Sequence, residues 1–299
     1  MKIIEIDVEN ISLDENPNLN LVLGFFDGIH LGHQKMINKA ISEGETGVMT
    51  FDVSPGFALG KGGKFSHITS LYDKSIILKG LGVKYLYVLR ATPTLLSLDK
   101  DEFINQILKK INPKKIFVGE DYHFGKDALG DINTLKQYFD VDVTTLLKRD
   151  GQKISSRYIR ELISSGEMKK VDEYLSRPYQ ISGLVIEGKH NGEKIGFPTA
   201  NLELSYPYVL PKIGVYIGYV KYLSSKYKAI ISVSTHPTIQ ELKEPIIEVH
   251  LLSYKGNLYG KEIDVQFVDY IRDVYKFASL DGLKDQLEKD LETAKNNLK

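Results

Sequence analysis

The sequence predicts an α/β plus β protein. A doubly wound parallel sheet fills the N-terminal half, and a small antiparallel β-barrel with a C-terminal helix follows. Three observations carry this. Up to about residue 177, short apolar runs alternate with stretches of helical periodicity, the mark of βαβ units whose strands are buried on both faces. Beyond it, Gly183, Gly188, Gly192, Gly196, Gly214 and Gly218 punctuate short β-branched and aromatic runs. The chain closes with Leu283, Leu287, Leu291, Ala294 and Leu298 on one helical face. The pattern changes near Ser176-Arg177-Pro178, which divides the chain into domains 1–177 and 178–299.

The elements follow in order. Strands are expected at Leu21–Leu23, Val48–Phe51, Tyr85–Leu89, Ile116–Val118 and Val141–Leu146. Helices are expected from Gln34 to Ile41 and over Leu71–Leu81, Lys100–Ile111 and Asn133–Tyr138. In the second half, Val215–Val220, Ala229–Val233, Ile246–Leu252 and Ile263–Phe267 read as antiparallel strands. Gly256-Asn257 suits a hairpin turn between Leu252 and Leu258.

Composition bounds the function. A chain of 299 residues suits two domains, and 42% hydrophobic with 10% aromatic residues can bury real cores. Lys+Arg and Asp+Glu both stand at 39, so no global field draws nucleic acid or an anionic membrane, and neither is expected as a partner. The basic run Lys109-Lys110-Ile111-Asn112-Pro113-Lys114-Lys115 reads as a solvated turn between a helix and a strand. The absence of cysteine excludes disulfides, thiolate metal sites and a cysteine nucleophile. Met1 to Asp14 alternates apolar and acidic residues and is not expected to be a signal peptide. No apolar stretch approaches membrane-spanning length, so a cytoplasmic protein is expected, as a monomer or weak oligomer.

The richest local pattern is Gly24-Phe25-Phe26-Asp27-Gly28-Ile29-His30-Leu31-Gly32-His33, directly after the apolar Leu21–Leu23. A strand, a glycine turn and a helix N-terminus present free N–H groups and the positive end of a dipole to an anion. His30 and His33 add two side chains that can donate to phosphate, with Gly32 between them. This decapeptide resembles the HxGH-type nucleotidyltransferases, which attach a nucleoside monophosphate to a phosphate. Three more clusters follow expected strands: Thr50-Phe51-Asp52-Val53-Ser54-Pro55, Gly119-Glu120-Asp121-Tyr122-His123-Phe124-Gly125, and Ile154-Ser155-Ser156-Arg157-Tyr158-Ile159-Arg160. Ligands bind beyond the carboxyl ends of such strands. Ser155 and Ser156 suit a helix N-cap that can hold a triphosphate, and Arg160 one turn later can neutralise charge on the phosphate under attack.

The second half carries Gly188-Lys189-His190-Asn191-Gly192-Glu193-Lys194-Ile195-Gly196-Phe197-Pro198-Thr199-Ala200-Asn201. The glycines can wrap phosphates. Thr199 and Asn201 fall on one side of an extended chain and offer oxygen ligands that suit Mg²⁺ held with ATP. Together with Glu248 in Ile247-Glu248-Val249-His250, the order of motifs resembles the bacterial bifunctional riboflavin kinase/FAD synthetase family over essentially the whole chain.

That resemblance implies an N-terminal FMN adenylyltransferase domain and a C-terminal flavokinase barrel, with ATP, riboflavin, FMN and FAD as substrates and products and Mg²⁺ as the accompanying ion. It implies Glu248 as general base, with His30, His33 and Arg160 serving adenylyl transfer, and Thr199 and Asn201 at the metal. ATP would lie against Gly24, Phe25, Asp27, Gly28, Ser155 and Ser156 in the first domain, and Gly188, Gly192, Gly196 and Pro198 in the second. Flavin would lie against Phe51, Pro55, Asp121 and Phe124, and against Arg272 and Phe277. The alternative is an enzyme with one activity, its N-terminal domain a weak or regulatory flavin binder. The chain departs from the usual family pattern at Ser54, His123, Arg157, Asn191, Glu193 and Ser232–Ser234.

Overall fold

Six parallel strands form the N-terminal sheet: β1 (Lys2–Ile6), β2 (Asn20–Leu23), β3 (Thr46–Phe51), β4 (Tyr85–Leu89), β5 (Lys115–Gly119) and β6 (Val141–Thr144). They come from a computed structural model that describes residues 1–8, 18–60, 66–149, 151–188, 196–235, 245–275 and 277–299. Their spatial order is β1-β4-β3-β2-β5-β6. The direction of build-up reverses between β2 and β5, and in sheets of this kind ligands bind at the carboxyl edge beside such a switch point.

Alternate residues of the strands feed two cores. Val22, Val48, Val88 and Phe117 pack against α1 (Leu31–Glu43) through Met36, Ile37 and Ala40, and against Leu78. Leu21, Leu23, Met49, Leu89, Ile116 and Val118 pack on the other face against Leu95, Phe103, Ile104, Ile107 and Leu108. The sheet is therefore doubly wound. Along the chain come α2 (Pro55–Ala58), α3 (Leu71–Leu81), α4 (Pro93–Ser97), α5 (Lys100–Phe103), α6 (Lys109–Ile111) and α7 (Ile132–Lys136). The single helix expected over Lys100–Ile111 is a continuous helical run that widens into a π-helical stretch at Ile104–Leu108. The expected strand from Val141 stops at Thr144, and a short hairpin, β7 (Lys148–Arg149) with β8 (Gln152–Lys153), follows it. Strand β1 was not expected: it is an edge strand with Ile3 53% exposed, so its apolar residues mark no buried run.

The second unit begins with α8 (Ser156–Ser165) and α9 (Met168–Leu175). A closed antiparallel barrel follows: β9 (Tyr179–Ile186), β10 (Ala200–Leu204), β11 (Gly214–Tyr222), β12 (Ser225–Thr235), β13 (Pro245–Leu251) and β14 (Glu262–Arg272), in the order β10-β13-β12-β11-β14-β9. Two of these strands, β9 and β10, add to the four expected from the pattern. The hairpin expected at Gly256-Asn257 is not one. Strand β13 lies between β10 and β12, and β14 lies between β11 and β9, so this segment crosses the barrel instead of joining neighbours. Asn257 Oδ1 does accept the Tyr259 amide at 2.8 Å in a local turn.

Helix α10 (Leu280–Asn297) buries Ala294 and the following Leu298, with Leu291 beside them, against Val215, Ile217, Ile230 and Leu252. The packing units are Met1–Phe65 with Ser70–Ser155, and Ser66–Thr69 with Ser156–Lys299. The change of pattern at 177–178 thus marks the start of the barrel strands, while α8 and α9 pack ahead of it in the barrel's unit. Lys169 of α9 pairs with Asp269 of β14 at 2.7 Å, one of the contacts that hold them there.

Candidate active sites

Three of the expected clusters leave adjacent strands at one edge of the sheet. Gly24–Gly28 follows β2, Asp52–Pro55 follows β3, and Gly119–Gly125 follows β5, in the spatial order β3-β2-β5. The glycine turn is built tightly. Phe26 and Ile29 hold positive φ of 54° and 40°, and Gly28 one of 83°. A β-branched residue in that region is strained, and such strain persists only where its surroundings over-determine it. Asp27 is 1% exposed and His30 6%.

His30 caps α1. Its Nδ1 accepts the His33 amide at 3.4 Å, so the N–H of its neutral ring lies on Nε2. The two imidazoles stack with centroids 3.7 Å apart, and Phe26 meets His33 edge-on at 5.1 Å. A Cβ at Gly32 would meet the His30 ring at 3.2 Å, which explains the glycine between the two histidines. Burial, then the neighbouring His30 and then Lys74 hold the His33 pKa well below its ordinary 6.5. His33 Nδ1 is enclosed and has no hydrogen-bond partner among the described residues.

Around this turn, Asp52 Oδ1 accepts amides from Val53 (2.7 Å) and Ala91 (3.0 Å), clamping the ends of β3 and β4 together. Ser54, one of the departures, caps α2 by accepting the Phe57 amide at 3.2 Å and so fixes Pro55. Phe51 is half-buried on the core. Phe124 is a core residue, packed between Phe103 (5.5 Å) and Tyr122 (6.0 Å). Asp121 is exposed and pairs with Lys153 at 3.1 Å, and His123 is exposed beside it. Ser155 immediately precedes α8, whose first turns carry Ser156 and the half-buried Arg160. Arg157 lies on its exposed side and pairs with Glu161 at 3.3 Å.

In the barrel, Asn201 on β10 stands opposite Glu248 on β13, which stands opposite Ser232 on β12. Their flanking residues Ala200, Leu202, Ile231, Val233, Ile247 and Val249 are buried, so this polar row occupies the face opposite to that core. Thr199 leads into the row. A Cβ at Gly188 would fall into the Asn201 side chain, which fills the space beside that glycine. His250 sits two residues beyond Glu248, its Nδ1 2.8 Å from the Pro198 carbonyl and its ring 5.3 Å from Phe197. It fastens the Pro-Thr-Ala-Asn segment to β13. Gly196 takes a positive φ of 81° just before that segment. Gly192, with Asn191 and Glu193, lies outside the described residues.

Arg272 is held away from solvent. Its guanidinium grips Asp290 of α10 through Nε (3.0 and 3.1 Å) and Nη2 (2.6 Å), and Gln286 donates to the same carboxylate at 2.9 Å. Phe277 packs its ring 4.8 Å from Tyr275. The oxygens of Thr199, Asn201 and Glu248 are hard donors, and Asn201 is seated against Gly188, so the set fits Mg²⁺. Among the described residues no three His, Asp or Glu side chains gather as a metal cage.

Comparison with known proteins meets this geometry in both halves. The FAD synthetase family matches residues 13–158 and the riboflavin kinase family matches residues 175–298. Bifunctional riboflavin kinase/FMN adenylyltransferases from Listeria monocytogenes and Bacillus subtilis are each 34% identical, over 94% of this chain and 93% of theirs. The Escherichia coli K12 protein of that description is 32% identical over 99% of this chain and 97% of its own. The chain belongs to the bifunctional riboflavin kinase/FMN adenylyltransferase family. It is an enzyme with both transferase activities, forming FMN from riboflavin and FAD from FMN, and the single-activity alternative is not favoured because both families match. A Streptococcus pneumoniae crystal structure described as a macrolide-efflux protein is 35% identical, covers 99% of both chains and superposes with a TM-score of 0.90. No helix among the described residues here is long and apolar enough to cross a membrane.

Two groups escaped the sequence reading. Lys74, 49 residues from its partner Phe25, is buried behind the glycine turn. Its only signal was a lysine one turn before the buried Leu78 on α3. His250 was visible beside Glu248, but its bond to Pro198 spans 52 residues.

Proposed function

We propose that the two activities occupy the two cradles just described, with 1–177 carrying adenylyl transfer and 178–299 carrying the kinase. In the barrel, Glu248 takes the proton of the riboflavin 5′-hydroxyl as its oxygen attacks the γ-phosphorus of ATP, and ADP leaves. Thr199 and Asn201 hold Mg²⁺, which supplies neutralisation of phosphate charge when bound. Gly188, Gly192, Gly196 and Pro198 shape the loop around the phosphates, and Arg272 and Phe277 border the flavin, Arg272 acting from its pair with Asp290.

In the sheet domain, a phosphate oxygen of FMN attacks the α-phosphorus of a second ATP and pyrophosphate leaves. Gly24, Phe25, Asp27 and Gly28 form the turn around the nucleotide. His30 donates through Nε2, His33 offers the enclosed Nδ1 edge, and Ser155 adds a further hydroxyl for phosphate. Phe51 and Pro55 border the flavin, with Asp121 at its edge and Phe124 supporting them from the core. The observation that carries this assignment is His33 Nδ1, enclosed in the turn without a partner among the described residues. A buried polar atom of that kind calls for a ligand. We place the enzyme in the cytoplasm as a monomer or weak oligomer.

One incubation tests the scheme. Purified protein with riboflavin and MgATP should yield FMN first and FAD later, resolved by chromatography. FAD appearing without an FMN lag would contradict two separate sites, and FMN that never becomes FAD would contradict the reading of the glycine turn.

A further inference from the structure

The most unusual group outside the assigned machinery is Lys74. It lies on α3, whose start is fixed by a capping box between Ser70 and Asp73, and it is only 2% exposed. Its ammonium donates to the Phe25 carbonyl at 2.7 Å and lies 3.8 Å over the Phe25 ring. Thr50 donates to the same carbonyl at 2.8 Å. Both lone pairs of that oxygen are thus engaged from the interior.

This has a geometric consequence. In a planar trans peptide the carbonyl and the next N–H point in opposite directions, so pinning Phe25 C=O inward turns the Phe26 N–H the other way. The next four residues include the positive φ of Phe26, Gly28 and Ile29. Such a turn needs an anchor, and the ammonium is charge-assisted and rigidly seated. Its field also reaches α1, where it is one of the causes that lower the His33 pKa.

We propose that Lys74 is a positioning residue for adenylyl transfer: its buried ammonium pins the Phe25 carbonyl, holds the strained turn from Phe26 to Ile29 in shape, and sets a fixed positive charge behind His33. The proposal rests on the reading of that turn as the ATP site. The groups that act on Lys74 are Phe25 and Asp27 from the turn and His33 from α1, while Thr50 from β3 shares its Phe25 acceptor. Burial depresses the ammonium to about 8 from 10.5, with Asp27 partly opposing the shift. A residue kept only for packing would do better as an apolar side chain of the same length, because no charge would need to be desolvated.

The test uses the full chain carrying Lys74→Met or Lys74→Gln, with FMN formation by the same molecule as the control for folding. Lys74→Met should lower kcat for FMN-to-FAD conversion by about 10- to 100-fold, leave FMN formation within about twofold, and not lower the melting temperature. Lys74→Gln, which keeps a donor for Phe25 without the charge, should recover part of the loss. In the unmodified enzyme kcat/KM should fall as pH rises through about 8, and Lys74→Gln should lack that fall. The proposal is overturned if FAD formation is unchanged in Lys74→Met, or if it drops in step with FMN formation and melting temperature. His33→Ala separates the two readings. An unimpaired His33→Ala would remove the site assignment and this proposal with it, whereas an impaired one beside a normal Lys74→Met would remove Lys74 alone.

Discussion

In the sheet domain the cradle is made of backbone: Phe26 and Ile29 sit at positive φ, and Asp27, His30 and Lys74 are almost wholly buried. In the barrel it is made of side chains, with Asn201, Glu248 and Ser232 half-buried in register on three strands and Thr199 beside them. The first arrangement is preorganised, and its strain and buried charge weigh against folding. The second rests on an ordinary closed barrel whose core lies on the opposite face of the strands. Changes in the sheet-domain cradle should therefore move stability and pH dependence together with activity. Changes in the barrel row should move activity alone.

The largest effect should come from exchanging the two losses. Glu248→Ala should cut FMN formation by about 10³-fold while FMN-to-FAD conversion stays normal. His33→Ala should cut FAD formation by about 10²-fold and spare the kinase. Separate assays started from riboflavin and from FMN read both, and parallel losses would erase the contrast between the cradles. Next, Gly188→Ala would drive a Cβ into the Asn201 side chain, and should raise the KM for MgATP in FMN formation by about 10-fold with no change in melting temperature.

Asp290→Ala should destabilise the barrel unit by about 3 kcal/mol in denaturant titration, because it strands the Arg272 guanidinium, whose side chain is 16% exposed. The smallest effect is the most diagnostic of buried charge. His33 stays neutral when folded, so below about 6.5 the unfolded chain binds a proton that the folded one does not. Stability should then fall with acidity by up to about 1.4 kcal/mol per pH unit, and His33→Gln should remove that slope. Lys74 acts in the same direction at the alkaline end: between about 8 and 10.5 the unfolded chain holds the extra proton, so stability should rise with pH there too.

The contrast also explains what could be read from the sequence. The glycine turn was legible because strand, turn and cap are contiguous, and a backbone site must be. The barrel row was only half legible. Thr199, Asn201 and Glu248 stood out, but the register that sets Ser232 beside Glu248 is a tertiary fact. Pairing failed for the same reason at Gly256-Asn257, where two good strand patterns flank a good turn and yet belong to non-adjacent staves. Strand β1 was hidden by its exposed edge, and neither the seating of Phe124 on the core nor the pairing of Arg272 with Asp290, 18 residues away on α10, could be read from the sequence. Periodicity reports which face is buried. It does not report against what.

One consequence of the packing units concerns how the enzyme can be taken apart. Residues Ser66–Thr69 belong with the barrel unit, where the His67 amide donates to the Pro207 carbonyl at 2.8 Å and the His67 carbonyl accepts the Val209 amide at 2.8 Å. The polypeptide therefore passes between the units at 65/66, 69/70 and 155/156. A protease that severs the last of these leaves Ser66–Thr69 of the first fragment belonging to the barrel unit. A gene split at 177/178 yields a barrel half without Ser66–Thr69, α8 and α9, and a sheet half carrying all three. Fission of this enzyme along its packing units needs a cut ahead of α8 and re-tailoring at Ser66–Thr69, and not merely a stop codon and a new start.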